Sequence, residues 1–404
     1  MFVFFLDSTK MMKILLFHPW IKSKGGAERL IYEYIKRSKH KITVFTWYFA
    51  ENKSFDFKNV KYFVKYNTLF DKILRTYLSR IILLIFSYIK IPIDKYDIFL
   101  ISTSGIAELI LLRNRNKKTI LYVHTPLRAV ISHDYLFNLK YRFNKNLFSR
   151  YFYKLAFHVY RKLEKIAWKK VDFAIFNSEL SLKRALDRKL IDKEKTTIIY
   201  PAVDLEGFYN KEPENYILYV ARIGMSKRQD ILIEAFKEII KEYPNLKLIF
   251  AGSLENKKYY LELLKLIKKY NLEKNVIIKL NLSDKEIKEL YAKCLVFVHV
   301  PFMEDFGIAP LEAMASGKFV ISTIAGNYNI LKDAPGIMWI KDSIDKEKVV
   351  NNLILAIKEF LKDREKYIKL GLKNREYIKS KDLSWDSFTK KMDELLEILL
   401  QKAS

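Results

Sequence analysis

Cysteine is almost absent from this sequence. Its 404 residues include a single cysteine, Cys294, which excludes a disulfide framework and any cysteine-rich metal site. The low cysteine content agrees with a reducing compartment. Cys294 lies in the apolar run "CLVFVHV", so we interpret it as a core residue rather than a nucleophile.

Long hydrophobic runs are also missing. The run "IILLIFSYI" at residues 81–89 falls well short of the roughly 18 uninterrupted apolar residues that a membrane span needs. In "MFVFFLDSTK", Asp7 interrupts a short apolar run that no basic segment precedes, so this segment does not fit a secretory signal. A true start at Met11 or Met12 stays open. We expect a cytoplasmic protein that is either soluble or peripheral at the inner face of the membrane.

Acidic residues are scarce relative to basic ones. Lys and Arg total 73 against 46 Asp and Glu, a net charge of +27, which favours a polyanionic partner such as nucleic acid, anionic lipid or a phosphorylated small molecule. Between Lys140 and Lys170, Glu164 is the one acid among ten basic residues. A basic amphipathic helix on an anionic membrane and an internal helix with a solvated lysine-rich face both fit this segment. No nucleic-acid reader motif is present, so we expect no nucleic-acid partner.

Short apolar runs alternate with helical patterns along the chain. In the first half the apolar runs are "KILLFHP", "ITVFTW", "YDIFLIS", "TILYVHTP" and "VDFAIFNS". The same rhythm restarts after the polar stretch "DLEGFYNKEPEN" with "YILYVAR", "LKLIFAGS", "NVIIKL" and "LVFVHV". This alternation predicts an α/β protein with two doubly wound parallel sheets, because parallel strands need helical crossovers.

The polar stretch sets the predicted domain boundary. We predict one domain at residues 1–204, a second at 205–382, and a C-terminal helix within 383–404 that packs back on the first domain. In this architecture a ligand binds at the carboxyl ends of the strands, here in the cleft between the two domains.

Glycine and charged residues lie at the predicted strand ends. Gly25-Gly26 separates the first strand from the first helix, where the backbone can approach a phosphate, although an ordinary turn fits as well. Arg222 and Lys227 follow the first strand of the second domain, and taken alone they also fit surface positions. Glu304 and Glu312 flank a strand, turn and helix start in "VPFMEDFGIAPLEAMASG".

Together these segments resemble the retaining glycosyltransferases of family 4, which have the two-domain GT-B fold. The resemblance is collinear over most of the chain, and its most specific part is the E-x7-E element formed by Glu304 and Glu312 with "FG" between them. The other segments are "GGAER", "HTPLR", "NSELS", "YPAVDLEGF", "ARIGMSKRQDILIEAF" and "AGS".

The resemblance implies a role for each matching residue. Glu304 orients the transferred sugar, and Glu312 accepts hydrogen bonds from the ribose hydroxyls of the donor. The positions implied to face the donor diphosphate are Gly25, Gly26, Arg222, Lys227, Phe306 and Gly307. No metal or cofactor is expected, since fixed cations stabilise the leaving diphosphate in this family and no Asp-x-Asp cluster stands at a strand end.

His124 matches the family histidine near the transferred sugar and the acceptor, although a lone histidine after a strand also fits a packing role. With Arg128, a candidate on the acceptor side, it belongs to "HTPLR", which is similar to the subgroup that transfers mannose from GDP-mannose in surface-polysaccharide assembly. Asn329 stands about where many relatives have a glutamate. The residues expected around the nucleobase are Gly252, Ser253, Leu254, Leu280, Asn281 and Leu282.

We therefore predict a retaining hexosyltransferase in which Glu304, His124, Arg222 and Lys227 act at the reacting groups. The donor is GDP-mannose or a UDP-hexose, with mannose favoured, and the acceptor is a glycan or a lipid-linked saccharide. Front-face transfer is favoured over a covalent intermediate on Glu304. Two alternatives stay open: a membrane-associated sugar-nucleotide-binding or scaffolding protein without transfer, and a nucleotide-sugar epimerase of the same fold.

Overall fold

The computed structural model describes residues 11–22, 24–65, 85, 87–115, 117–128 and 147–401. The N-terminal segment 1–10, most of the run 81–89 and residues 140–146 of the basic segment lie outside the described residues. The chain forms two compact units. One unit comprises the chain up to Pro201 and again from Trp385 onward, and the other comprises Ala202–Ser384.

The described elements of the first unit are mainly strands and α-helices. They are β1 (Lys13–Phe17), β2 (Trp20–Ile21), α1 (Gly26–Arg37), β3 (Lys41–Phe49), β4 (Val60–Lys65), β5 (Ile98–Thr103), β6 (Lys118–Val123), α2 (Leu147–Trp168), β7 (Phe173–Phe176), α3 (Glu179–Asp187) and β8 (Thr196–Ile198).

In the second unit strands and α-helices alternate from β9 to α9. Its elements are β9 (Tyr216–Val220), α4 (Gln229–Ile239), β10 (Lys247–Gly252), α5 (Lys257–Lys269), β11 (Val276–Leu280), α6 (Asp284–Lys293), β12 (Val296–His299), α7 (Ile308–Ala315), β13 (Val320–Thr323), α8 (Tyr328–Leu331), β14 (Ile337–Ile340), α9 (Lys346–Lys362), α10 (Arg364–Leu372) and α11 (Asn374–Ser380). A last helix, α12 (Trp385–Gln401), belongs to the first unit.

The first unit is built on a parallel sheet. Within the described residues its strand order is β2-β3-β1-β5-β6-β7-β8, with β4 also paired to β3. The central strands β1 and β5 pair in register from Ile14 with Ile98 to Phe17 with Ile101, and these side chains are fully buried. Such continuous apolar runs are typical of parallel strands covered on both faces. The strand order reverses between β1 and β5, so this is the topological switch point of the sheet.

Helix α12 packs on α1 in the first unit. Its carboxylate Asp393 is buried and accepts hydrogen bonds from the Tyr34 hydroxyl at 2.8 Å, the Ser38 hydroxyl at 2.8 Å and the Lys39 backbone N–H at 3.1 Å. Phe388 lies edge-on to Tyr34, with ring centroids 6.3 Å apart. Both apolar packing and a satisfied buried charge therefore tie α12 to the end of α1.

The second unit has its own parallel sheet. Among the described strands the order is β11-β10-β9-β12-β13-β14, and every pair in it is parallel. The order reverses between β9 and β12, which places the loops after these two strands at the switch point. The predicted pair of doubly wound parallel-sheet domains is confirmed. No helix in the described part of the chain is long and apolar enough to cross a membrane.

Candidate active site

The loops after β9 and β12 meet at the switch point of the second unit. The Phe302 backbone N–H donates to the Ser226 carbonyl oxygen at 2.9 Å. Across the same contact, the ammonium group of Lys227 donates to the carboxylate of Glu304. Both side chains are largely shielded, at 15% and 17% exposed. The structure thus brings together two of the residues that the sequence singles out, one from each loop.

Arg228 fixes the loop that carries Lys227. It adopts a left-handed backbone conformation with φ 53° and is buried. Its guanidinium donates to Asp342 Oδ1 at 2.7 and 2.9 Å and to the Ser343 carbonyl oxygen at 2.8 Å. Asp342 Oδ2 also accepts the Met303 backbone N–H at 3.0 Å. This buried pair therefore braces both loops, and sequence reasoning missed it because Arg228 looks like one more basic residue beside Lys227.

Arg222 points toward a different neighbour. Its guanidinium lies 3.5 Å from the carboxylate of Glu255, and the side chain is 56% exposed. An exposed pair at this distance contributes little to stability. The structure thus places Arg222 on the β9 loop with Lys227, but its ion pair is with Glu255 rather than with Glu304.

Gly307, at the start of α7, lies against two buried polar side chains. Its backbone has φ +83°, and a Cβ there would lie 3.1 Å from His299 Nε2 and 3.3 Å from Glu304 Cγ. Asn327 donates from Nδ2 to the Gly307 carbonyl oxygen at 3.1 Å. Phe306, also predicted to face the diphosphate, has its side chain buried, so only its backbone could face a ligand.

His299 and Asn327 carry unused hydrogen-bonding capacity. Among the described residues, neither ring nitrogen of His299 nor Oδ1 of Asn327 has a partner. Burial lowers the pKa of His299 to about 3, although the Glu304 carboxylate opposes this effect, so the imidazole is neutral. Sequence reasoning missed both residues. The available signal is His299 at the very end of an apolar strand, where polar residues of α/β proteins often serve a site.

Glu312 lies on α7 and is half-buried. One carboxylate oxygen accepts the hydroxyl of Tyr291 at 2.8 Å. Asn329, the departure from the expected glutamate, is exposed on the short helix α8. Nearby, the Gly326 backbone N–H donates to the Glu304 carbonyl oxygen at 3.0 Å, so this segment supports the loop that carries Glu304.

The segments predicted to surround the nucleobase are adjacent. Gly252 pairs with Leu280 across β10 and β11, and the Asn281 backbone N–H donates to the Gly252 carbonyl oxygen at 3.3 Å. Leu254, next to Ser253, pairs with Ile223 in a parallel bridge. Gly252 is required sterically, since a Cβ there would lie 2.0 Å from the Ala221 carbonyl oxygen. Leu282 directly follows Asn281, so all six positions lie at the ends of two neighbouring strands, β10 and β11, and in the loops that follow them.

In the first unit, His124 belongs to a cluster at the switch point. Ser102 Oγ lies 2.8 Å from His124 Nε2 and 3.1 Å from His18 Nδ1. Burial lowers the pKa of His124 to about 3, assisted by His18, and lowers that of His18 to about 4. The sequence predicts His124 alone. His18 follows β1 in "FHP" and Ser102 lies in β5, and only the strand order makes them neighbours.

The remaining predicted positions of the first unit lie on two other loops. Gly25 caps α1, and Gly26 is the first residue of the helix. A Cβ on Gly25 would lie 2.3 Å from a carboxylate oxygen of Glu28, so an acid from the same helix stands over this turn. Arg128 is half-buried. No cluster of three possible metal ligands occurs among the described His, Cys, Asp and Glu residues, and metal-independent transfer stays a prediction.

Two family profiles match adjacent parts of the chain. The one described as "Glycosyltransferase Family 4" matches residues 24–206, and the one described as "Glycosyl transferases group 1" matches residues 206–377. Together the two profiles cover residues 24–377, and the chain belongs to the family 4 glycosyltransferases. Its predicted enzyme class, glycosyltransferase, is confirmed.

Relatives and a solved structure agree with this assignment. The GDP-Man:Man(3)GlcNAc(2)-PP-Dol alpha-1,2-mannosyltransferase of Dictyostelium discoideum is 23% identical over 280 residues, covering 63% of this chain and 54% of that relative. The chain therefore spans about half of that relative's length. The alpha-1,3/1,6-mannosyltransferase ALG2 of the same organism is 24% identical over 356 residues, covering 78% and 83%. The crystal structure of Anabaena HepE with UDP and glucose has a TM-score of 0.69 at 18% identity, over 95% of this chain and 99% of that chain. The GT-B fold is thus confirmed.

Proposed function

We propose that this glycosyltransferase moves mannose from GDP-mannose to a lipid-linked saccharide with retention of configuration and without a metal ion. The proposal for donor and acceptor rests on the relatives, whose names specify mannosyl transfer and, for the first, a GDP-mannose donor and a dolichol-linked acceptor. Because one name specifies an alpha-1,2 linkage and the other alpha-1,3/1,6 linkages, the proposal names no linkage position.

The observation that carries the proposal is the shielded Lys227–Glu304 pair at the switch point of the second unit. Its two partners can bind different parts of a sugar nucleotide. The ammonium group can bind phosphate oxygens, and the carboxylate can accept hydrogen bonds from sugar hydroxyls. In our proposal the donor replaces this internal ion pair with those two contacts.

The chemistry follows from fixed charge and position. Negative charge grows on the diphosphate as the bond to the sugar breaks, and Lys227, assisted by Arg222, would stabilise it where it develops. Glu312 would accept from the ribose hydroxyls. The departing phosphate oxygen would take the proton of the acceptor hydroxyl, because His124, with its low pKa, is a poor base. Glu304 would orient the sugar rather than attack it.

We also propose that α2 brings the enzyme to an anionic membrane, where a lipid-linked acceptor resides. Four large apolar residues of α2 are each at least 44% exposed: Tyr151, Leu155, Val159 and Ile166. Their spacing of four, four and seven places them on one face of the helix. Lys154, Lys162 and Lys165 are exposed on the same helix. Apolar and basic exposure on one helix is typical of helices that lie in a membrane interface.

The test combines donor binding with transfer. GDP-mannose should raise the melting temperature of the protein more than UDP-glucose does, since a ligand that binds only the folded state stabilises it by mass action. Lys227→Ala should lower kcat/KM for mannosyl transfer by about 10²–10³-fold, the usual cost of removing one fixed donor to a developing charge. The product linkage, read by NMR at the anomeric proton, should be α.

Lys241→Ala is the matched control. This variant also truncates a lysine and breaks its ion pair with a glutamate, Glu238, at 2.6 Å. That pair lies on the protein surface, at the C-terminal end of α4. We expect full activity from this variant. Wild-type transfer by Lys227→Ala would refute the proposed role, and a melting-temperature rise with UDP-glucose alone would refute the proposed donor.

A further inference from the structure

His124 is held by two residues that no sequence motif marks. Ser102 Oγ contacts Nε2 of His124 at 2.8 Å and Nδ1 of His18 at 3.1 Å. His18 and Ser102 are buried, whereas His124 is half-buried. Nδ1 of His124, the nitrogen that Ser102 does not contact, makes no hydrogen bond within the described residues. Ser102 therefore fixes Nε2 of His124, and Nδ1 can form a hydrogen bond with a ligand.

Proton counting restricts this cluster to two arrangements. A serine hydroxyl has one proton to donate, and a neutral imidazole has one N–H and one bare nitrogen. Both histidines are neutral near pH 7, since burial lowers their pKa values to about 4 and about 3. The Ser102 hydroxyl has no other partner among the described residues. Its one proton therefore goes to one ring and its oxygen accepts from the other, so the two tautomers are linked.

The link between the two rings fixes how their protons pair. When His18 carries its proton on Nδ1, it donates to Ser102 Oγ, and Ser102 donates to a bare Nε2 of His124, whose own proton is then on Nδ1. When His18 carries its proton on Nε2, its bare Nδ1 accepts from Ser102, and His124 donates from Nε2. In both arrangements the two rings are protonated at the same ring position.

We propose that His18 and Ser102 are positioning residues that hold His124 in one tautomer, the same as that of His18. Ser102 Oγ links His18 Nδ1 to His124 Nε2, and Nδ1 of His124 is the nitrogen presented to substrate. His124 then acts as a neutral hydrogen-bonding group toward the transferred sugar. This last step rests on the proposed function, whereas the linked tautomers do not.

The tautomer has a direct spectroscopic test on the free protein. With ¹⁵N-labelled histidine, long-range ¹H–¹⁵N spectra distinguish a protonated from a bare ring nitrogen. We expect His18 and His124 to be protonated at the same ring nitrogen, both at Nδ1 or both at Nε2, and Ser102→Ala to move these signals toward a mixture of tautomers. His124→Gln identifies the signals. Ser322→Ala, which truncates another buried strand serine, in β13 of the second unit, should leave them unchanged.

Kinetics tests the consequence. Ser102→Ala should lower kcat for mannosyl transfer about tenfold, equivalent to about 1.4 kcal/mol, with little change in KM for GDP-mannose. Ser102→Thr keeps the hydroxyl and should recover both the signals and most of kcat. Protons on different ring nitrogens of His18 and His124 in the wild type, or unchanged His124 signals in Ser102→Ala, would overturn the proposal. Absence of any turnover by the wild type would instead count against the proposed function and leave the spectra as a valid test.

Discussion

Gly307 shows how one residue can serve both the backbone and the site. Its φ of +83° lies in the region where L-residues with a Cβ are strained. It also lies within reach of His299 and Glu304, so a side chain there would press on both. The "FG" inside the E-x7-E element therefore has two separable physical causes, conformation and space.

The variant Gly307→Ala should differ from the wild type in both respects, backbone conformation and side-chain space. We expect a loss of about 1–2 kcal/mol in the free energy of unfolding from backbone strain, and a further loss of transfer because Glu304 is displaced by the new methyl group. Urea denaturation and the transfer assay measure the two effects.

Gly317→Ala is its control. Gly317 has a similar φ of +67°, but the nearest atoms to its Cβ would be 3.5 Å away, so only the strain remains. Equal loss of transfer in both variants would show that the contact with His299 and Glu304 is unimportant.

Sequence reasoning at this scale identified positions but not partners. The spacing of Glu304 and Glu312 marks a loop and a helix start, and Lys227 marks another loop. Nothing in the sequence says that Lys227 and Glu304 touch, or that Arg222 turns to Glu255. Asn327 and Arg228 were missed for the same reason, because their partners Gly307 and Asp342 lie 20 and 114 residues away in the sequence. His299 lies beside Gly307, a near neighbour in the sequence, and was missed although its place at the end of an apolar strand was a signal.

At the scale of elements, α2 differs from a simple basic surface helix. Its one acid, Glu164, has a fully buried side chain that pairs with Arg188. A second carboxyl, Glu108, is buried on the 3₁₀ segment Ala107–Leu112 and accepts the Tyr160 hydroxyl at 2.8 Å. The Tyr160 hydroxyl also lies 3.2 Å from Glu164 Oε1, so it links the two buried carboxyls, while the Arg188 guanidinium pairs with Glu164. Burial raises the pKa of Glu164 to about 7, although Arg188 opposes it, and raises that of Glu108 as well.

These raised pKa values predict that stability falls as pH rises. Between the unfolded pKa near 4.5 and the folded value of about 7 for Glu164, the folded state binds more protons than the unfolded state. The free energy of unfolding contributed by this group is therefore full below about pH 4.5 and is lost as pH rises through 7. Glu164→Gln, which stays neutral, should flatten this dependence in urea denaturation at about pH 5 and about pH 8.

Glu394→Gln on α12 serves as the comparison, because that glutamate is 51% exposed and only distantly paired with Lys390. It should keep the wild-type pH dependence. An unchanged slope in Glu164→Gln would mean that Glu164 is ionised in the folded protein at all these pH values.

Strand prediction succeeded where a run of apolar residues marks the strand and failed at β4, which has no such run. The runs that became β1, β5, β9 and β12 are continuously apolar, as central parallel strands must be. Strand β4, "VKYFVK", was missed because most of its side chains are exposed, so no apolar run announces it. Which strand lies beside which also escaped prediction, and this alone creates the cluster of His18, Ser102 and His124.

For the whole molecule, the net charge of +27 bears on the membrane contact that we propose for α2. The exposed apolar face of α2 is bordered by lysines, and each basic residue near an anionic surface contributes about 1 kcal/mol of attraction. Charge and apolar contact would thus combine at one helix, whereas the rest of the lysines are spread over both units.

Leu155→Glu combined with Val159→Glu should abolish binding to vesicles of phosphatidylglycerol and phosphatidylcholine in a sedimentation assay. Both residues are exposed, so folding should be unaffected. Binding of the wild type should weaken with added salt and be absent on phosphatidylcholine alone.

Leu355→Glu is the matched control, since Leu355 is 68% exposed on α9 of the second unit. It should bind vesicles as the wild type does. Undiminished binding by the α2 double variant would place the membrane contact elsewhere.

The return of α12 to the first unit bears on how the protein matures on the ribosome. Residues 202–384 are contiguous, so the second unit can complete its core while the chain is still being made. The first unit cannot, because Asp393 and Phe388, which cover the Tyr34 side of α1, are synthesised only after the whole second unit. The half of the enzyme that emerges first should therefore finish folding second, and until then it is the natural client of chaperones.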